Sequence, residues 1–274
     1  MRPVGLLAID VDGTLVGLDL AIRPGARAAV ARARQAGWLV TLATGRMYAS
    51  ARPYAAELSL CDVPLICYNG ALVRTALGGE TWLHDPVPHD IAQRVVDICR
   101  GAGFHLNVYL DDQLYVADQS AETRQYVAIA RVPAQVTEDL AALLGEREEP
   151  TKLLLVAPSA DMPAVRARLL AELGPLADRL FLTGSYPFFL ELMAATASKG
   201  RALAAVARRL GFAPEAVAAV GDGPNDVDML AWAGCGVAVG HPTPEVRAAA
   251  RFVAPADADG VAWAVDHLLG GGQP

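Results

Sequence analysis

Short apolar runs near the start of the chain each stop at a polar, glycine-containing cluster. Leu6 to Ile9 runs into Asp10-Val11-Asp12-Gly13-Thr14. Trp38 to Ala43 runs into Thr44-Gly45-Arg46, and Pro64 to Tyr68 into Asn69-Gly70. Helical stretches separate them. Arg23-Pro24-Gly25 opens one and Gly37 closes it, and a second spans about Ala49 to Leu58. Strand, helix, strand, helix, strand predicts an α/β fold built on an open parallel sheet. Ligands of such sheets bind beyond the carboxyl ends of the strands. The clusters at Asp10, Thr44 and Asn69 are therefore expected on one rim.

The middle of the chain changes character. Phe104 to Leu110, Asp111-Asp112-Gln113 and Leu114 to Val116 read as a hairpin. Thr151 to Ala157, Leu180 to Thr183 and Phe188 to Met193 read as strands, the last two flanking a Gly184-Ser185-Tyr186-Pro187 turn. Hairpin-linked strands predict an α+β module with an antiparallel sheet. The last third returns to the first pattern. A helix opens at Lys199-Gly200, and Ala216 to Val220 is a strand ending in Gly221-Asp222-Gly223-Pro224-Asn225-Asp226. The expected organisation is a core of residues 1–83 and 187–274 interrupted by an inserted domain, 84–186. Gly270 to Pro274 reads as a frayed tail.

Asp10 and Asp12 stand two apart at a strand end. Carboxylates that close repel unless a cation or a proton lies between them. Oxygen ligands select a hard ion such as Mg²⁺, and Gly13 lets the backbone turn sharply. One aspartate can attack phosphorus, and the other can protonate the leaving oxygen and then activate water. Alone, the pair reads equally well as a solvated acidic loop. Thr44 and Gly45 offer a hydroxyl and an approachable N–H for phosphate, or simply a capped turn. Lys199 at a helix start opposes the dipole, so it reads as a phosphate partner or as a surface lysine. Asp222 adds a carboxylate ligand. Asn225 and Asp226 can bind phosphate or orient ligands and waters.

Taken in order, these segments resemble the haloacid dehalogenase (HAD) superfamily. Asp10-Val11-Asp12-Gly13-Thr14-Leu15 is similar to its first motif, and Thr44-Gly45-Arg46 to its second. Ser198-Lys199-Gly200 is similar to the third, and Gly221 to Asp226 to the fourth. The long insertion, and Tyr68-Asn69-Gly70-Ala71, resemble the Cof-like, class IIB sugar-phosphatase branch. The resemblance covers essentially the whole chain. It implies a Rossmann-like parallel-sheet core with an inserted α+β cap, and a Mg²⁺-dependent phosphatase acting on a small phosphorylated metabolite. Asp10 would be nucleophile and metal ligand. Asp12 would be acid/base and would bind metal through its carbonyl, and Asp222 would complete the ligands. The Val11 and Gly45 amides, Thr44, Lys199 and Asn225 would hold the phosphoryl group, with Arg46, Asn69 and Asp226 in support. The chain departs from the family pattern at Ala194-Ala195-Thr196-Ala197, where proline and glycine are frequent. It departs again at Pro255 to Val261, which lacks the usual asparagine before Asp-Gly-Val.

A phosphomutase on the same core and a non-catalytic sugar-phosphate sensor remain the alternatives. The substrate is not legible, since one fold hosts many chemistries. Tyr109, Tyr115, Tyr186, Phe188 and His105 could approach a ligand but also read as packing within the cap. His84-Asp85 and His89-Asp90 lack the further ligands of a metal site. A net charge of -7 argues against nucleic acid as partner, and no apolar run reaches the ~18 residues of a membrane span. Cys61, Cys67, Cys99 and Cys235 include no C-x-x-C pair and read as buried free thiols. A cytoplasmic monomer or small homo-oligomer is expected.

Overall fold

The computed structural model describes residues 3–146, 149–184 and 186–270. The chain forms two compact units, Met1–Leu83 with Ser198–Pro274, and His84–Ala197. In chain order the first unit begins with β1 (Gly5–Ile9), α1 (Pro24–Gln35), β2 (Trp38–Leu42), α2 (Tyr48–Glu57), β3 (Pro64–Cys67), β4 (Leu72–Thr75) and β5 (Thr81–His84). The second holds α3 (His89–Ala102), β6 (His105–Leu110), β7 (Gln113–Val116), α4 (Ala121–Ala130), β8 (Ala134–Val136), α5 (Leu140–Glu146), β9 (Lys152–Val156), α6 (Met162–Leu173), β10 (Leu180–Thr183) and β11 (Phe189–Ala194). The chain then returns with α7 (Lys199–Leu210), β12 (Val217–Gly221), α8 (Val227–Trp232), β13 (Cys235–Ala238), α9 (Pro244–Ala249), β14 (Phe252–Val253) and α10 (Gly260–Leu269).

The first unit is organised by a sheet in the order β14-β13-β12-β1-β2, every pair parallel. Interior strand β1 is buried at every position, as a strand covered on both faces must be. Its Leu6 and Ala8 share a core with Ala202, Leu203 and Val206 of α7. A parallel bridge between Ala43 and Ile66 sets β3 beside β2, and β3-β4-β5 forms a small sheet of its own. Asp10, Thr44, Asn69 and Asp222 all lie just past the carboxyl ends of strands, on one rim.

The second unit has a six-stranded sheet in the order β10-β11-β9-β6-β7-β8. Its pairs are antiparallel except β7 with β8, which is parallel. The expectation of an antiparallel sheet therefore fails at that edge, where α4 carries the chain over between the two strands. Alternate residues of the strands, such as Leu106, Val108, Leu153 and Leu192, share a core with Ile91 and Val95 of α3 and Leu169 of α6. The expected return to the core at residue 187 is also corrected. Phe189–Ala194 pairs with β9 and β10, so the second unit extends to Ala197. Ser185 of the expected turn, and residues 271–274 of the expected tail, lie outside the described residues. Cys67 and Cys99 are buried as expected, but Cys61 is exposed.

One turn fixes where α7 begins. Tyr68 and Asn69 after β3 are left-handed, with φ of 50° and 53°, and Gly70 follows at φ 94°. A Cβ on Gly70 would stand 2.2 Å from the Ser198 carbonyl oxygen. Gly70 thus permits both the backbone angle and the close approach. Gly70→Ala is expected to cost about 1–3 kcal/mol, read from urea unfolding. A loss below about 0.5 kcal/mol, the range of ordinary surface changes, would show that the approach is not constrained.

Candidate active site

The site gathers around Lys199, the first residue of α7. Ser198 caps that helix, its hydroxyl accepting from the Arg201 amide at 3.0 Å. Lys199 is not a surface lysine. It is 1% exposed. Its Nζ donates to Asp10 Oδ1 at 2.7 Å and to Asp226 Oδ1 at 2.6 Å. Burial pulls the ammonium's pKa down, but the charges of Asp10 and Asp226 outweigh it and hold it above the ordinary lysine value. Lys199 therefore stays charged.

Asp226 is fully used. Its second oxygen accepts the Asp222 and Gly223 amides at 3.0 and 2.9 Å. It shapes the loop after β12 while presenting one oxygen to Lys199. A Cβ on Gly221 would fall 2.5 Å from the Asp226 carboxyl carbon, so that carboxylate sits directly on the strand end. The Thr14 hydroxyl donates to Asp222 Oδ1 at 2.6 Å. Gly13, at φ 85°, brings the first loop so close that a Cβ would lie 2.3 Å from Asp222 Oδ2. The two acidic loops are thus locked together.

Asp10, Asp222 and Asp226 each offer an oxygen within 4.8 Å of the others. Three carboxylates here face one ammonium. Burial, with the Asp226 charge, pushes Asp10 well above the ordinary carboxylate value, against the pull of Lys199. Burial raises Asp222 as well. The donor set is all oxygen and two positive charges short, which fits a hard divalent cation. Asp226 already serves Lys199 and two amides, so Asp10 and Asp222 are the carboxylates suited to hold it.

Asp12 points elsewhere. Its side chain is 49% exposed. Arg46 grips both its oxygens, Nε at 2.8 Å from Oδ2 and Nη2 at 2.6 Å from Oδ1. Arg46 in turn donates to Ser50 Oγ at 3.2 Å and lies over the Tyr54 ring, so the grip is anchored on α2. The Thr44 hydroxyl is buried and accepts the Arg46 amide at 3.1 Å. Asn69 donates its backbone N–H to the Thr44 carbonyl at 3.0 Å, and its side-chain oxygen accepts Asn225 Nδ2 at 2.9 Å. A Cβ on Gly45 would meet that same Asn69 oxygen at 3.0 Å. Val11 is buried in the turn that follows β1, its carbonyl accepting the Leu15 and Val16 amides.

The described residues thus bring together Asp10, Lys199, Asp222 and Asp226, and beside them two linked pairs, Asp12 with Arg46 and Asn69 with Asn225. Sequence reasoning did not identify Thr14, Ser50 or Tyr54. Thr14 could have been found as the hydroxyl two residues beyond Asp12. Nothing local marks the other two. Where the family favours an asparagine near the end, Asp259 caps α10, accepting the Ala262 amide at 3.2 Å.

A parallel sheet with an acidic rim and an inserted α+β unit defines a class of hydrolase, and comparison agrees. The sequence profile of the haloacid dehalogenase-like hydrolases matches residues 7–265, and the chain belongs to that family. The 5-amino-6-(5-phospho-D-ribitylamino)uracil phosphatase YitU of Bacillus subtilis is 30% identical, the match covering 94% of each chain. The pyridoxal phosphate phosphatase YbhA of Escherichia coli is 27% identical over 90% of this chain and 92% of its own. The subclass IIB sugar phosphatase BT4131 shares the fold, with a TM-score of 0.79 at 23% identity, covering 96% of this chain and 98% of that one. The protein is a HAD-family phosphatase of the Cof-like type with the subclass IIB fold. Among the described residues no helix is long and apolar enough to cross a membrane.

The two acid pairs differ in what they hold up. Asp226→Ala takes from the buried Lys199 ammonium one of its two carboxylates and leaves the Asp222 and Gly223 amides without their acceptor, and is expected to cost about 1–3 kcal/mol. Asp12→Ala breaks a half-exposed pair and should cost about 0–1 kcal/mol. Urea midpoints of the two variants check this, and equal losses would contradict the assignment of Asp226 as the structural partner.

Proposed function

We propose that the protein hydrolyses a small phosphomonoester, a sugar phosphate or similar metabolite, in a Mg²⁺-dependent reaction through an aspartyl phosphate on Asp10. The observation that carries this reading is the buried Asp10 carboxylate. It is held by Lys199 at 2.7 Å beside Asp222, in a site two positive charges short. Mg²⁺ held by Asp10, Asp222 and the Asp12 carbonyl would supply the missing charge and shield the phosphoryl oxygens from the carboxylates.

Each residue then has a stated task. An Asp10 oxygen attacks phosphorus in line, and the bond from phosphorus to the ester oxygen breaks. Asp12, released from Arg46, gives a proton to the departing alkoxide. Water then attacks the aspartyl phosphate while Asp12 takes its proton. The bond between phosphorus and the Asp10 oxygen breaks, inorganic phosphate leaves and the carboxylate is restored. Lys199, fixed by Asp226, offsets the repulsion between Asp10 and the incoming dianion. The Thr44 hydroxyl, the Val11 and Gly45 amides and Asn225 hold the phosphoryl oxygens, with Asn69 orienting Asn225. The second unit would serve as the cap that selects the substrate. Relatives of similar identity act on a ribitylaminouracil phosphate and on pyridoxal phosphate. A useful substrate panel therefore spans sugar phosphates and heteroaromatic phosphates.

Asp10→Asn should lower turnover by more than about 10⁴-fold while leaving the circular dichroism spectrum and urea midpoint near wild type. Near-normal phosphate release by that variant would sink the mechanism. Chelation by EDTA should abolish release and Mg²⁺ should restore it. Full activity in chelator would remove the metal from the scheme. Isomer conversion without free phosphate would turn the reading to a mutase.

A further inference from the structure

The second unit contains a cleft of about 890 Å³, lined only by its own residues. It lies where the end of α3, the start of β6, the loop before α4, the start of α5 and the N-terminal half of α6 meet. Its size falls in the range of small-molecule sites, roughly 300–1,000 Å³. We propose that this cleft binds a small organic amine with an apolar body, at a site built wholly within the second unit. The inference does not rest on the proposed phosphatase mechanism.

The floor is apolar. Cys99, Leu106, Val156 and Val165 are buried there and Phe104 adds a ring. Burial, with the Glu172 charge, pushes the Cys99 thiol up to about 12, so it remains a neutral part of that floor. The mouth is acidic, with Asp118, Glu122, Glu138, Asp139 and Asp161 facing two arginines, Arg100 and Arg168.

Both arginines are already engaged. Arg100 pairs with Asp97 at 2.7 Å and with Asp139 at 3.7 Å. Arg168 pairs with Glu172 at 3.0 Å and lies over the Phe104 ring. Asp139 is also occupied, accepting the Ala141 and Ala142 amides at the head of α5. Four acids remain. Asp118 accepts the Ser120 amide at 2.9 Å. Glu122 is held below the ordinary carboxylate range by its own backbone amide and by Ser120, so it is ionised at neutral pH. Asp161 precedes α6 but makes no side-chain cap bond. Neither it nor Glu138 forms an ion pair among the described residues. An anion would be repelled here, and a neutral molecule would gain nothing from these charges. An amine whose body fills the floor meets both demands.

Tryptamine, tryptophol and indole-3-propionate share an indole body and carry positive, neutral and negative charge. Titration of each into the full chain by isothermal calorimetry tests the charge requirement directly. Tryptamine should bind at least about tenfold more tightly than tryptophol, as expected for two exposed carboxylates near one ammonium, and indole-3-propionate should not bind. The variant Glu138→Gln/Asp161→Asn, both sites exposed, should weaken tryptamine by about the same factor. Asp10→Asn should bind it as wild type does. Equal affinity across the three probes, absence of tryptamine binding, or its loss in Asp10→Asn but not in the double variant would each overturn the proposal.

Discussion

The rest of the first unit depends on one buried ammonium. Lys199 joins Asp10, which lies 189 residues away in sequence, to Asp226. Burying a charge costs several kcal/mol unless partners meet it, so the chain is committed to bringing three segments together at one point. β1 delivers Asp10, the loop after β12 delivers Asp226, and the first turn of α7 delivers the lysine. Gly70 permits α7 to start where it does, and Gly13 lets the loop after β1 press on Asp222. These small residues matter because the charged ones leave no room for adjustment.

In the proposed reaction, the same cluster turns a structural ion pair into a reactive site. One ammonium satisfies Asp226, whose remaining oxygen is spent on backbone amides. It cannot also satisfy Asp10 and Asp222. Burial, with the surplus negative charge, raises both carboxylates, and that surplus makes the cluster one that a divalent cation would fit. Asp12 stands apart from this competition. Arg46 holds it at the edge of the rim, half exposed.

Much of this was legible in the sequence, and the limits have physical causes. The apolar runs ending at Asp10, Thr44, Asn69 and Asp222 marked the rim, because parallel strands buried on both faces read as unbroken apolar segments. The second unit was harder. Phe189–Ala194 is apolar enough to belong to either sheet, and only its pairing with β9 and β10 assigns it. The spacing of Ile91, Ala92, Val95, Val96 and Cys99 is helical, so α3 could have been read from it. The burial of Lys199 could not. Helix position and residue type allowed either a solvated lysine or a phosphate partner, and its true partners lie in distant segments with no shared periodicity. The Arg46 grip on Asp12 was hidden for the same reason.

A second buried lysine provides the control for this argument. Lys152 on β9 is 3% exposed and pairs with Glu191 of β11 at 3.1 Å, with its ammonium 4.8 Å from the centre of the Tyr109 ring. Burial pulls its pKa down and Glu191 more than restores it. The ammonium there meets the Glu191 carboxylate and a ring face, and among the described residues no group of three acids gathers around it to suit a divalent ion. Lys199 is as deeply buried and as well hydrogen-bonded, yet its surroundings carry three carboxylates. Burial of a lysine therefore does not mark function in this protein. The marker is the uncompensated charge beside it, and among the two buried lysines only the one at Asp10 has it.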